Sequence, residues 1–117
     1  ANSSISDLVR EGARFTAVFA SDDIMAYGAR LALNKYGLSV PHDVSLIGFD
    51  DIVFSPLLGL TTVAQSPFEL GKNAVLLLND ILAGRVTGPK TVELATSMVI
   101  RDSCRPVTTR GENSKSG

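Results

Sequence analysis

The sequence predicts an α/β fold in which a parallel sheet is layered with helices. Two runs of apolar, β-forming residues, Phe15–Ala20 and Val44–Phe49, lack the alternation of a half-exposed strand, which is typical of parallel strands buried on both faces. A helical pattern separates them. It begins at Ser21 or Asp22, either of which can accept the free N–H groups of a first turn, and it ends near Tyr36 before a glycine. Strand, helix and strand form a βαβ unit, so the strands are expected to be parallel with a right-handed crossover.

Four further elements flank this unit. An i, i+3, i+4 apolar pattern over Ser4–Glu11 predicts a short helix, and Leu60–Val63 predicts a short extended segment. Ser66 begins the clearest helix, Pro67–Ala83, because it provides an N-cap that is followed by proline at N1 and by an acid at N3, as in a capping box. The β-rich stretch Thr91–Ile100 predicts a last strand or hairpin.

Composition limits the kinds of function that the chain can carry. Its 117 residues suffice for one domain or most of one, with an ordinary 44% of hydrophobic and 20% of charged residues. The net charge is −1 and no Lys/Arg cluster exists, which argues against direct nucleic-acid binding by this chain. The single Cys104 and single His42 give no reason to expect a disulfide, a metal site or a cofactor. The short apolar runs and the polar start predict a cytoplasmic protein without a membrane span.

Each of the two predicted strands is followed by a pair of carboxylates. Asp22 and Asp23 follow the first strand, and Asp50 and Asp51 follow the second. Ligands of open parallel sheets bind at the carboxyl ends of the strands, so this edge is a candidate site. The alternative for each acid is structural, as the cap of a helix or turn. A carboxylate-dependent enzyme or a Mg2+ site is a further alternative, but no nucleophile elbow, phosphate-binding glycine loop or His-Glu metal motif accompanies the acids.

Several short motifs extend from Phe15 to Ser103 in a characteristic order and spacing. They are Thr16–Gly28, Val40–Asp51 with its Gly-Phe-Asp-Asp end, Leu60–Val63 and Met98–Ser103. Together they resemble the C-terminal part of the lactose-repressor/galactose-repressor family of bacterial transcription regulators. The resemblance implies a two-lobed, type I periplasmic-binding-protein-like core that commonly dimerises, binds a small-molecule effector between its lobes and follows a helix-turn-helix DNA-binding domain. It implies no enzymatic activity, and the chain is expected to lack the DNA-binding domain and most of the first lobe.

The resemblance also assigns candidate effector contacts. Asp50 matches the first acid of the family's Gly-Phe/Tyr-Asp-Asp motif, which hydrogen-bonds effectors. Asp22 stands where many members have Asn, and because Asp accepts but does not donate, this difference alters which hydroxyl groups can be bound. Phe19 matches a position that lies against a ligand ring in some members, with core packing as its alternative, and Gln65 lies on the crossover between the lobes. The expected effector is a sugar, while sugar phosphates and purine nucleosides stay open.

Two apolar surfaces predict self-association. The first long helix has more apolar residues than one stripe can hold, which indicates a second contact. We assign a dimer interface to Met25, Ala29, Leu33 and Tyr36, although the alternative for Met25 and Tyr36 is the rim of the core. By the resemblance, helix 67–84 normally packs on the N-terminal lobe. With that lobe missing, the chain is expected to associate with itself, for example by exchanging this helix between copies.

Residues 1–107 are therefore expected to form a partial effector-binding domain, and the polar stretch 108–117 a disordered tail. The main functional alternative is a sugar-binding protein of a transport system, which shares the two-lobed architecture but is exported. The match of Val40–Asp51 to the regulator pattern favours the regulator.

Overall fold

The computed structural model describes residues 2–107, and the predicted disordered tail, 108–117, lies outside the described residues. In the described part the elements are α1 (Asn2–Arg10), β1 (Ala17–Phe19), α2 (Asp23–Lys35), β2 (Ser45–Asp50), β3 (Thr61–Ala64), α3 (Pro67–Leu82) and β4 (Ser97–Val99). The three helices begin and end close to the predicted residues, and the strand–helix–strand unit is confirmed.

The strands form one sheet in the order β1-β2-β3-β4. β1 and β2 are parallel as predicted, β2 and β3 are also parallel, and β4 runs antiparallel to β3. In this register Gly48 of β2 lies opposite Thr62 of β3, and Asp50 lies opposite Ala64. The carboxyl ends of β1, β2 and β3 therefore meet at one edge of the sheet.

The core lies between α2 and the sheet. α2 contacts both α1 and β2. Its buried stripe contains three alanines, Ala26, Ala29 and Ala32, together with Leu33. These side chains belong to one hydrophobic cluster with Leu46 of β2. The small alanine side chains allow the helix to lie close to the strand.

This packing corrects the predicted dimer interface. Ala29 and Leu33 are only 1% and 0% exposed within the single chain, so they have no surface left for a second subunit. The prediction for these two residues is wrong because the sheet, and not a partner, covers that face of the helix. Met25 and Tyr36 are partly exposed, although a wheel of 100° per residue places them within the angular range of the buried stripe. They lie near the two ends of the helix, Met25 in its first turn and Tyr36 at its C-cap. The exposed apolar residues on the opposite side of α2 are Ile24, Tyr27 and Leu31.

The sheet face away from α2 is largely open in the part of the chain that the structure describes. Phe19 is 66% exposed, and Ile47 and Phe49 are only partly buried. The predicted burial on both faces is therefore wrong for this chain, because α1 and α2 both lie on one side. β1 is also shorter than predicted and pairs only with β2, as expected for an edge strand.

α3 follows the local rules of helix formation but has no core of its own. Ser66 is the N-cap and accepts a hydrogen bond from Glu69 N at 3.2 Å, with Pro67 in the first turn. None of the helical residues is buried, and its exposed apolar side chains include Leu70, Leu76, Leu78, Ile81 and Leu82. Within residues 2–107, neither this helix nor any other is long and apolar enough to cross a membrane.

The C-terminal strand is shorter than predicted. β4 comprises only Ser97–Val99, and the stretch from Thr91 to Thr96 is irregular, because the observed pairing extends only along the short strand β3. After β4 the chain is anchored through the buried Ser103. Its Oγ donates to Leu46 O at 2.5 Å and accepts from Thr61 N at 2.8 Å, so one side chain joins the last segment to both central strands.

The turn before β2 is stabilised by Asp43. The hydroxyl and the backbone N–H of Ser39 donate to Asp43 Oδ2 at 2.6 and 2.7 Å. The hydrogen bond from the Ser39 side chain is the largest cause that lowers the pKa of Asp43 below its ordinary value, followed by that from the Ser39 backbone.

We expect the substitution Ser39→Ala to raise the pKa of Asp43 back towards its ordinary value. The lowered folded-state pKa means that the interaction stabilises the fold at neutral pH and is lost as the pH falls through the folded-state pKa. NMR titration of the Asp43 side chain in the two proteins measures the change. An unchanged pKa in the variant would contradict this account of the turn.

Gly48 is the position where the sheet tolerates no side chain. A Cβ atom there would overlap Asp23 Oδ1 and lie 3.0 Å from Leu60 Cδ2. We expect Gly48→Ala to lower the free energy of unfolding by about 1–3 kcal/mol, as for other overpacked sites. Gly71 of α3 is the matched control, because a Cβ there meets nothing within 4 Å. Gly71→Ala should stabilise the helix by roughly 0.5–1 kcal/mol. Urea unfolding followed by circular dichroism compares the two, and equal effects would refute the close approach.

Candidate functional site

The predicted polar residues lie at the carboxyl edge of the parallel strands. Asp50 is the last residue of β2, and Gln65 directly follows β3. Asp22 precedes α2 and follows β1 by a short connection. The parallel arrangement thus places Asp22, Asp50 and Gln65 at one edge, as the sequence predicts.

Asp50 and Gln65 are in direct contact. Gln65 Nε2 donates a hydrogen bond to Asp50 Oδ1. Gln65 is exposed, and it also lines a cavity of about 190 Å³ together with Glu69 and Thr96. The edge therefore presents a carboxylate and a carboxamide side by side, a combination that can both accept hydrogen bonds from hydroxyl groups and donate to them.

The backbone of Asp50 and Asp51 is strained. Their φ angles are 107° and 53°, in the left-handed region that costs a non-glycine residue about 1–3 kcal/mol. An ion pair restrains Asp51 in this conformation: its Oδ1 lies 2.8 Å from Arg101 Nη2. Arg101 also donates from Nη1 to Leu60 O at 2.7 Å. The cation thus ties Asp51 to the start of β3, in agreement with its expected structural role.

A buried carboxylate, Asp23, connects the elements beneath this edge. It is only 2% exposed. Its Oδ2 accepts hydrogen bonds from Ile52 N at 3.0 Å and from Ser55 Oγ, and its Oδ1 accepts from Thr62 Oγ1 at 2.6 Å. A buried charge is tolerated only when such donors surround it. Asp23 is therefore satisfied by the loop after β2 and by β3 at the same time.

Sequence reasoning missed this network. The sequence offers Asp23 as an acid of the candidate edge or as a cap of the helix, and it does not single out Ser55 and Thr62. The adjacent acids Asp22 and Asp23 look alike in the sequence. A signal of the close approach is Gly48, a residue without a side chain in an apolar strand, but it does not say which acid approaches it.

Asp22 acts as the N-cap of α2. Its φ of −152° is extended, and its Oδ1 accepts from Met25 N at 2.6 Å. Asp22 therefore has the capping role that was the alternative to ligand binding. A ligand contact through its remaining lone pairs stays a prediction. Phe19 pairs with Ile47, away from the end of β2, and it is largely exposed. Phe19 is the last residue of β1, and its ligand role also remains a prediction.

A second, larger cavity lies beside Asp23, between α2 and the loop after β2. It has a volume of about 360 Å³ and is lined mainly by apolar side chains, including Ile24, Tyr27, Phe54 and Leu57. Its polar lining residues, Asp23 and Ser55, already bond to each other. This cavity suits contact with apolar groups, unlike the polar edge at Asp50. No group of three or more potential metal ligands occurs among the residues described by the structure.

Comparisons with known proteins agree with this architecture. A family model described as a periplasmic binding protein-like domain matches residues 2–104. The HTH-type transcriptional repressor CytR of Escherichia coli K12 is 41% identical over 92 residues, which cover 77% of this chain and 27% of CytR. The chain thus spans about a quarter of the length of this relative.

Two solved structures have the same fold. The Lac repressor dimer bound to operator and the anti-inducer ONPF aligns with a TM-score of 0.79 and 31% identity, over 87% of this chain and 36% of the repressor. The complex of the transcriptional regulator CelR with cellobiose aligns with a TM-score of 0.78 and 32% identity, over 87% of this chain and 32% of CelR. The relatives are transcriptional regulators and not enzymes. The chain therefore belongs to the periplasmic-binding-protein-like domain family, in the form found in LacI-family transcriptional regulators.

Proposed function

We propose that this chain is the C-terminal part of the effector-binding domain of a cytoplasmic bacterial transcriptional regulator, and that its polar edge binds a sugar. The observation that carries the proposal is the contact between Asp50 and Gln65 at the carboxyl ends of β2 and β3. This is the edge at which open parallel sheets bind ligands. Four acids follow the strands, and the structure leaves Asp50 partly accessible while Asp23 is buried.

The chemistry of the edge favours a polyhydroxylated ligand. A carboxylate forms strong, charge-assisted hydrogen bonds with hydroxyl donors, and the neighbouring carboxamide supplies both a donor and an acceptor. An anionic sugar phosphate is less suitable here, because Asp50 repels a second negative charge. The CelR–cellobiose complex supports a sugar by analogy. A nucleoside, whose ribose also offers hydroxyl groups, is the runner-up.

The exposed face of α3 supports the proposal that this domain is incomplete. A helix with six exposed aliphatic side chains is expected to be covered by another apolar surface. They are Leu70, Val75, Leu76, Leu78, Ile81 and Leu82. We propose that the first lobe provides this surface and that residues 1–107 form only part of the effector-binding domain. DNA binding then belongs to a segment outside this chain, consistent with the net charge of −1.

The proposed regulator is a homodimer, for which we propose a different interface from the one predicted from the sequence. Ile24, Tyr27 and Leu31 form an exposed apolar stripe on α2, and Phe54 and Leu57 extend it across the larger cavity. A contiguous apolar surface of this kind is typical of a protein interface. The Lac repressor relative, a dimer, supports a second copy as the partner.

We expect Asp50→Ala to weaken sugar binding by about 10- to 100-fold, because a hydrogen bond to a charged group is worth roughly 1.5–3 kcal/mol. Isothermal titration of the gene product that carries this chain, with cellobiose, D-galactose and adenosine, measures the effect. Asp7→Ala on α1 is the control, since Asp7 is an exposed acid on a helix that carries none of the residues of the edge. Equal affinity in the Asp50 and Asp7 variants would contradict the proposed site, and binding of adenosine alone would replace the sugar by a nucleoside.

A charge placed in the proposed interface should dissociate the dimer. Leu57 lines the larger cavity and is 81% exposed, while Val53 is 78% exposed and does not line it. We expect Leu57→Glu to raise the dimer dissociation constant by at least ~100-fold, because an uncompensated carboxylate is costly to bury. Val53→Glu should leave it nearly unchanged. Sedimentation equilibrium measures the dissociation constants of the two variants. Association through α3 would contribute equally to both, because neither substitution lies on that helix. The interface is refuted if the two variants dissociate alike.

A further inference from the structure

We propose that Asp23 is a positioning residue for the polar edge, and that its buried carboxylate holds Asp50 in its ligand-binding conformation. The role in ligand binding rests on the proposed function. The positioning itself is a statement about the backbone and can be tested without a ligand. Neither Asp50 nor Asp51 can be held by its own conformational preference, because both have positive φ angles that the surrounding structure must impose.

The first step is the attachment of the Asp23 carboxylate to α2 and to the sheet. Asp23 is the first residue of α2, whose stripe of Ala26, Ala29 and Leu33 is buried in the core. Its Oδ1 accepts from Thr62 Oγ1 at 2.6 Å, and Thr62 lies opposite Gly48 in the sheet. The missing side chain at Gly48 leaves the space that this oxygen occupies. One oxygen of Asp23 is thereby fixed to the sheet.

The second step is the hold on the strained turn. Oδ2 of Asp23 accepts from Ile52 N at 3.0 Å and from Ser55 Oγ. Ile52 is the residue directly after Asp50 and Asp51, so its N–H fixes the point at which the strained pair leaves β2. On the far side, the ion pair between Asp51 and Arg101 restrains the same turn. The carboxylate of Asp23 therefore links α2 and β3 to the turn that carries Asp50.

The third step compares the carboxylate with the amide of Asn. Both oxygens of Asp23 accept hydrogen bonds, whereas Asn has only one acceptor oxygen and an NH2 group that donates. The Thr62 hydroxyl can rotate to accept from such an NH2 group, but the Ile52 N–H can only donate. The variant Asp23→Asn can thus retain part of the network, provided that its oxygen faces Ile52. Ser55→Ala removes one donor from the turn and leaves the bond to Thr62 in place.

The same residue also bears on Asp22. Asp22 is the N-cap immediately before Asp23, and its carboxylate is directed by the first turn of α2. Because Asp23 ties this turn to β3 and to the loop after β2, one buried carboxylate relates the positions of two candidate ligand contacts, Asp22 and Asp50. A ligand that touches both would be sensitive to Asp23 without contacting it.

The test compares Ser55→Ala and Asp23→Asn with Val44→Ala. Val44 is 1% exposed in the core and forms no part of the network, so its truncation lowers stability without touching the turn. Three-bond HN–Hα couplings of Asp50 and Asp51 report their φ angles, and hydrogen exchange reports the Ile52 N–H bond. We expect both readouts to change in Ser55→Ala, to change less in Asp23→Asn, which can keep part of the network, and to remain as in wild type in Val44→Ala.

Cellobiose affinity is measured on the same proteins. We expect Ser55→Ala to weaken it by about tenfold, because the released turn would hold Asp50 in its binding conformation only about a tenth of the time, and Val44→Ala to leave it unchanged. The positioning role would be overturned if Ser55→Ala had the same couplings and the same Ile52 exchange as wild type. It would also be overturned if Val44→Ala changed these readouts as much as Ser55→Ala does. If Asp23→Asn does not fold, Ser55→Ala decides. If wild-type protein binds neither cellobiose nor D-galactose, the sugar proposal fails, while the couplings still decide whether Asp23 positions the turn.

Discussion

The buried carboxylate of Asp23 is the interaction on which the arrangement of this chain most depends. It receives hydrogen bonds from the loop after β2 and from β3, while its backbone begins α2. A buried charge is expensive unless it is paired or well hydrogen-bonded, so these groups must come together for the fold to form. Gly48 completes the arrangement by leaving space for the carboxylate.

The candidate site lies above this buried network but is itself partly accessible. Asp50 lies beyond the core, in a strained turn and in contact with Gln65. Strain of this kind persists only where surrounding contacts impose it, and it is common where a side chain must be presented to a ligand. The two acids of this turn thus have separate tasks: Asp51 pairs with Arg101, and Asp50 remains partly accessible.

Local rules predicted most elements but not their surroundings. The N-cap Ser66 and the following proline predicted α3 closely, and the apolar runs predicted parallel pairing of β1 and β2. The same runs led to a wrong expectation of burial on both faces, because whether Phe19 is covered depends on elements that a strand pattern does not contain. For α2 the sequence showed more apolar residues than one stripe can hold, but it did not show which stripe faced the sheet. Ala29 and Leu33 were therefore assigned to a dimer interface.

The sequence by itself determined the α/β class, the helix limits and the edge where Asp22 and Asp50 lie. These features follow from periodicity, capping and spacing, which are short-range properties of the chain. The regulator family and the place of Gln65 on the crossover came from the resemblance of its motifs. Only the tertiary structure decided that Asp23 is the buried acid and that Ile24, Tyr27 and Leu31 are the exposed stripe. Burial and hydrogen bonding between residues as distant as Asp23 and Thr62 depend on how the elements pack, and adjacent, chemically identical residues such as Asp22 and Asp23 cannot be distinguished until they do.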